Sequence, residues 1–310
     1  MHRNRLQPLT IMRATIFATG RGVAIAAFAA RSLPRDARIY QIAFQATLLT
    51  IGVVMRDFSL RPEQMLLCFA AGIATQAFWV SHLRLGRVGW LSPVITCLGV
   101  SLLLRSDSMW VHPAAACLAL TAKFTLRIGN KHVFNPANLG VIIALLAFPG
   151  AWVSPGQWGN DLAWSLWFVA LGGLVVQRAR RWDISWAFLA FWLGLVAFRV
   201  MWLGQPWTIW MHQLESGALL LFAFFMISDP MTIPNRRGAR LGYAFAVALL
   251  AFVWQFVLFK PNALLWALFL CSPAVPLLDW MFPAARARWT SRADPPPRQP
   301  SAPRVPQPAA

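Results

Sequence analysis

Between residues 39 and 280 the chain alternates long apolar runs with short loops rich in Arg, Pro, Asn and Asp. Ten runs can be drawn, at about 39–55, 65–80, 90–104, 110–122, 133–150, 162–177, 184–203, 212–227, 241–258 and 263–280. A helix rises 1.5 Å per residue, so blocks of this kind suit a hydrocarbon layer ~30 Å thick. The pattern predicts an all-α, polytopic integral membrane protein with about ten transmembrane helices. The third and fourth runs fall short of the ~20 residues of a straight span. They are expected to be tilted, partly buried in protein, or re-entrant.

Charge sharpens this picture. The chain of 310 residues is 58% apolar and 12% charged, with a net charge of +18 and a mean hydropathy of +0.55. A basic balance of that size suits nucleic acid only when it gathers on one soluble face. Here the basic residues sit in loops between apolar runs, so nucleic-acid binding is excluded and the lipid bilayer is the expected surroundings. With the N-terminus inside, 23 Lys and Arg fall on that side, against four in the opposite loops, Arg56, Arg61, Arg105 and Lys260. The positive-inside asymmetry predicts both termini in the cytoplasm, since one span more or fewer would scramble it.

The ends read differently from the middle. Residues 1–38 form a basic N-terminal cytoplasmic segment whose apolar stretch is interrupted by Arg13, Arg21 and Arg31, too costly for a span and suited to the membrane surface or to a non-native extension. Residues 39–281 form the transmembrane domain. The Pro- and Arg-rich tail, 282–310, cannot bury apolar surface and is expected to be disordered. Cys68, Cys97, Cys117 and Cys271 lie singly in apolar runs and read as small buried side chains, so no metal site is expected. His82, His112, His132 and His212 come from four different segments, an arrangement that argues against a haem clamped between two helices. Trp110, Trp152, Trp158, Trp202, Trp207 and Trp210 gather at outer span ends as an aromatic belt.

Two stretches carry candidate chemistry. In 127–150 a polar loop leads into Phe134-Asn135-Pro136-Ala137-Asn138-Leu139-Gly140. Pro136 suits a first helical turn and Asn135 its N-cap, so a helix should start sharply at or within the membrane. Asn135 and Asn138 would then stand at the positive end of a helix dipole, facing an anionic or carbonyl-bearing ligand, unless they only cap the span. In 212–238 a span ends at Ser228-Asp229-Pro230-Met231-Thr232. Pro230 stops the helix and leaves the Asp229 carboxylate at the membrane boundary, where it needs water, a cation or donors.

These residues resemble the RnfD/NqrB membrane subunits of flavin-dependent electron-transport complexes. The resemblance rests on FNPANLG at 134–140, LGGLVVQRARRWDISWAFLAF at 171–191, HQLESGALLLFAFFMISDPMT at 212–232 and CSPAVPLLDW at 271–280. It implies a bacterial inner-membrane protein of two inverted five-helix halves, partnered by other membrane subunits of an electron-transport complex. It also implies a non-covalent FMN or riboflavin, or a quinone, near Asn135, Pro136, Asn138, Ser228, Asp229 and Thr232. One departure stands against it. Flavinylated members attach FMN covalently to a Thr in a Ser/Thr-Gly-Ala-Thr motif of an outer loop, where this chain has Trp152-Val-Ser-Pro-Gly-Gln-Trp-Gly-Asn-Asp161 without any Thr. Covalent FMN is therefore expected to be absent. Two alternatives stay open: a non-redox accessory or scaffold protein of a biosynthetic cluster, as in shorter members of the UnbU type, and a solute transporter using the same fold.

Overall fold

The computed structural model describes residues 36–55, 59–86, 89–129, 131–153, 169, 172–173, 175–177 and 181–285. Most of the N-terminal segment, most of the tail and the 154–161 loop where the flavin-bearing Thr is missing lie outside the described residues. The chain is an all-α membrane protein with two small strand pairs. Helix α1 (Ala37–Met55) precedes α2 (Pro62–His82), which opens on Pro62, where a missing N–H costs nothing. Helix α3 (Leu91–Leu103) runs into strand β1 (Leu104–Ser106), and α4 (Val111–Thr125) follows. A hairpin of β2 (Arg127–Ile128) and β3 (Lys131–His132) turns through Gly129 at φ 61° and leads into α5 (Pro136–Ala147). Strand β4 (Ala151–Val153) pairs antiparallel with β1, Leu104 opposite Val153.

The second part begins at α6 (Trp182–Trp202), followed by α7 (Thr208–Leu214) and α8 (Gly217–Leu221). Helix α8 widens into a π-helical turn over Phe222–Met226. Helices α9 (Arg237–Phe256), α10 (Ala263–Cys271) and α11 (Ala274–Met281) complete the described chain.

Every apolar run that falls within described residues is helical, but length supports fewer than ten straight spans. Among the described residues four helices, α1, α2, α6 and α9, are long and apolar enough to cross a membrane. The number rises to six if α7 with α8 and its π turn, bent by 42°, and α10 with α11, bent by 47°, each count as one span. The bends have local causes. Ser216 leaves α7 to cap α8, its Oγ accepting from the Leu219 N–H at 3.4 Å. Pro273 cannot donate into the turn after Cys271. Helices α3 and α5 are short because they pack on protein rather than lipid, with Val141 and Ile142 fully buried.

Small residues set those packings. A Cβ on Gly140 would lie 2.8 Å from the Ala115 carbonyl oxygen, and one on Gly99 would lie 2.8 Å from the Ala137 Cβ, so α5 meets α4 and α3 nearly backbone to backbone. Helices α6 and α9 are joined by a buried ion pair, Arg240 to Asp183 at 2.5 Å, and α5 meets α10 where the Asn138 Nδ2 donates to the Leu265 carbonyl at 3.2 Å. Arg105 differs from its reading as a loop residue. It is fully buried, and its guanidinium donates to the carbonyls of Ser101 and Leu104 at 2.9 and 2.7 Å. The α3 backbone ends early, leaving carbonyls that a buried cation satisfies.

Candidate functional site

Asn135 accepts a hydrogen bond from the Asn138 N–H at 3.1 Å, the N-cap geometry that its place before Pro136 predicts. With its oxygen so used, the Asn135 Nδ2 faces the Met226 carbonyl and the Asp229 Oδ2, both at 3.5 Å. These contacts are long enough to leave the amide hydrogens available. The two sequence stretches therefore meet: the start of α5 abuts the end of the π turn.

Ser228 and Thr232 hold Asp229 in place. The Ser228 hydroxyl donates to the Phe224 carbonyl at 2.5 Å, a bond back into the wide turn. The Thr232 N–H and hydroxyl both donate to the Asp229 carbonyl, at 3.1 and 3.4 Å. The Met231 N–H donates to the Asp229 Oδ1 at 3.0 Å, an Asx-type turn that aims the carboxylate inward. Burial pushes the Asp229 carboxyl above the ordinary carboxylate range, against the pull of the Met231 N–H and the Lys123 and Lys131 charges.

Asp229, Asn135 and Pro136 line one cavity of about 290 Å³. Asn138, Ser228 and Thr232 stand behind it. Asn138 is 1% exposed and its Oδ1 has no hydrogen-bond partner. Sequence reading missed the other wall. Gln41 and Gln45 come one turn apart on α1, Gln76 from α2, Ser92 and Thr96 from α3, Lys123 from α4 and His132 from β3. Lys123 donates to the Gln76 Oε1 at 3.0 Å and to the Ser92 Oγ at 2.7 Å. The Gln45 Oε1 is buried without a partner. Burial and the nearby Lys123 and Arg127 charges hold His132 down to about 3, so it is a neutral imidazole at physiological pH. The available signal was polar side chains inside apolar runs, of which Gln41, Gln45 and Gln76 are the plainest.

The cavity sits near the lower end of the range that takes small organic ligands. Its apolar part, Ile95, Leu102, Leu221 and Phe225, suits a flat ring, and Phe225 is itself stacked on Phe44 at 4.7 Å. Its polar part offers amide donors, one carboxylate, Asp229, and two cations, Arg38 and Lys123. A second cavity of about 220 Å³ opens between Gln213, Ser216, Gln255 and Asn262. The two cavities share Leu103 and Met226 in their linings. Among the described residues no three His, Cys, Asp or Glu side chains converge as metal ligands.

Comparison with a known family covers one side of the 290 Å³ cavity, the stretch from Leu221 to Met231. Residues 153–287 match the NQR2, RnfD, RnfE family. Proteins named as a subunit of the ion-translocating oxidoreductase complex, from Salmonella paratyphi B, Salmonella newport and Salmonella enteritidis, are each 33% identical over 165 residues. The matched region is 52% of this chain and 43% of each relative, so the chain matches under half the length of the curated relatives.

Proposed function

From the match of residues 153–287 to the NQR2, RnfD, RnfE family, we propose that the chain belongs to that family, that it is a membrane subunit of an electron-transfer complex and that its 290 Å³ cavity holds a non-covalent flavin. The observation that carries this reading is the pairing of a buried carboxylate with underused amides. The pyrimidine edge of a flavin presents one N–H between two carbonyls. Asp229 would accept from that N–H. Asn135, Gln41 and Gln45 would donate to the carbonyls, while Ile95 and Phe225 cover the ring faces. The unpartnered Gln45 Oε1 fits a ligand that brings donors of its own. Bound there, the isoalloxazine would supply one- and two-electron transfer. Ser228 and Thr232 position Asp229, and Pro136 sets where the α5 N-terminus points its positive end.

The sequence around 152–161 supports the non-covalent form, since it holds no Thr. Protein purified in detergent after flavin-replete expression should carry isoalloxazine absorption that acid precipitation releases into the supernatant. Asp229→Ala and Asn135→Ala should each lose most of it. A colourless protein sinks the proposal, and a fluorescent band in a denaturing gel overturns its non-covalent part.

One observation favours a second reading, transport in the same fold. Among the described residues Leu103 and Met226 alone line both cavities, and Met226 ends a π turn of the kind that clusters at functional sites. In liposomes, Met226→Ala should then raise ion leak, and an unchanged leak removes the path.

A further inference from the structure

Lys123 lies in the last turn of α4, where a cation commonly turns to water and steadies the negative end of the helix. Here it turns inward onto the wall of the 290 Å³ cavity. Its Nζ donates to the Gln76 Oε1 of α2 at 3.0 Å and to the Ser92 Oγ of α3 at 2.7 Å. Both partners are neutral. An ammonium has three donors, so one is left over at the cavity.

Its charge is left over as well. Three other inward-facing cations each have a carboxylate: Lys131 has Asp279 at 2.8 Å, Arg240 has Asp183 at 2.5 Å, and Arg38, on the rim of the same cavity, has Asp36 at 2.7 Å. Among the described residues no carboxylate comes within ion-pair distance of Lys123. Asp229 attracts it only from across the cavity. Withdrawing an ammonium from bulk water without a counter-charge is costly unless a negative charge arrives to meet it.

The rest of the lining says what can bring that charge. Ile95, Leu102 and Phe225 suit a flat apolar molecule better than a small inorganic ion. A permanently anionic ligand would also meet the Asp229 carboxylate. A ring that enters neutral and gains charge afterwards fits both walls. Reduction does this to a flavin: two electrons, with one proton going to N5, leave a negative charge spread over N1 and the C2 carbonyl, and charge near those atoms tunes the potential. They belong to the same pyrimidine ring whose N–H Asp229 would take.

We propose, resting on the flavin assignment of this cavity, that Lys123 is the counter-ion for the charge that reduction places on the bound ring. It makes the cavity hold the reduced ring more tightly than the oxidised one. Gln76 and Ser92 are positioning residues that keep the ammonium on the cavity wall. The electrons come from an electron-donating partner, or from dithionite in the test, and the proton from water.

The test is a redox titration of the full chain in detergent at pH 7, with dithionite and mediator dyes, beside a measurement of the affinity for oxidised riboflavin. Lys123→Met should bind the neutral oxidised ring within about twofold of the wild type and the reduced ring about tenfold more weakly. For a two-electron couple, a tenfold loss of that kind lowers the midpoint by about 30 mV. Lys123→Arg keeps the charge and should titrate near the wild type, and Lys123→Gln replaces Lys123→Met should the latter melt early. A midpoint unchanged in the neutral variant, with flavin still bound, overturns the proposal and leaves the flavin assignment standing. An equal fall in Lys123→Arg also overturns it, because shape and not charge would then matter. So does loss of oxidised riboflavin from the neutral variant, which would make Lys123 a contact of the uncharged ring. A wild type that binds no flavin in either state removes the flavin assignment and this role with it.

Discussion

Asp229 is the residue on which stability and proposed chemistry pull in opposite directions. Its carboxyl is held above the ordinary range by burial. A raised folded value means that the unfolded chain gives up its proton first as pH rises. Between the ordinary carboxylate value and the folded one, each step upward in pH therefore removes stability. Asp229→Asn keeps an oxygen for the Met231 N–H and removes the titration. The variant is expected to melt no earlier than the wild type at neutral pH in detergent, and to show a flatter melting temperature between pH 4 and 7. The same variant should bind flavin weakly, because the amide is a poorer acceptor than the carboxylate for a ligand N–H. A melting curve that stays as steep in the variant would place the pH dependence elsewhere. Asn135 poses the converse case. Asn135→Ala removes a helix cap worth about 1 kcal/mol, so some of its effect on bound ligand will be structural. Asn135→Ser, which caps as well but cannot donate through an amide, separates the two roles: flavin lost with melting unchanged assigns Asn135 to the ligand.

Elements in this protein owe their positions to small residues more than to large ones. Gly140 on α5 faces the Ala115 carbonyl at a distance that leaves no room for a methyl group. Gly140→Ala is expected to cost about 1–3 kcal/mol as α5 and α4 are forced apart. Gly194, inside α6, has nothing within 4 Å of a Cβ, and Gly194→Ala should be neutral or stabilising by up to about 1 kcal/mol from helix propensity. Thermal melts of the two variants in one detergent check the pair, and equal effects would mean that close packing at Gly140 is not what holds α5. The start of α5 was legible in the sequence, because an Asn-Pro pair ahead of an apolar run has one local meaning. The Asp229 turn was legible for the same reason. The wall made by Gln41, Gln76 and Lys123 was not, since these lie on three helices brought together only by tertiary packing. Nor was the π turn, whose Phe222–Met226 stretch is as apolar as any α-helix. The bend at Pro273 falls inside 263–280, which reads as one run in the sequence. What a single apolar run could not show is that it contains two helices.

At the scale of the whole molecule, direct contacts sort the loops independently of their charge. Lys131 of the β2–β3 hairpin pairs with Asp279 near the end of α11 at 2.8 Å, and the Asn235 N–H donates to the same carboxylate at 2.7 Å. Arg38, His132 and Asp229 line one cavity. The loops near residues 38, 131, 230 and 280 are thus gathered together. Elsewhere β1 pairs with β4, and Gln213 and Ser216 share a cavity with Asn262, which gathers the loops near 105, 151, 215 and 262. The first group carries the excess of Lys and Arg that charge counting puts in the cytoplasm, and the second group is the poor one. Short and bent helices still alternate between the groups, as α3 and α5 do, which is how fewer long helices can follow the ten-run pattern. Two halves of opposite orientation would give that alternation. The orientation follows as an expected outcome. A fluorescent protein fused after residue 285 should fold and fluoresce, because that end is expected in the cytoplasm. Lys260→Cys should react in intact cells with a membrane-impermeant maleimide, and Arg236→Cys should react only after the membrane is opened. Cys68 and Cys97 are fully buried, which keeps their background low. Labelling of both positions from one side would break the link between contact sorting and charge sorting, because both put residues 236 and 260 in opposite groups of loops.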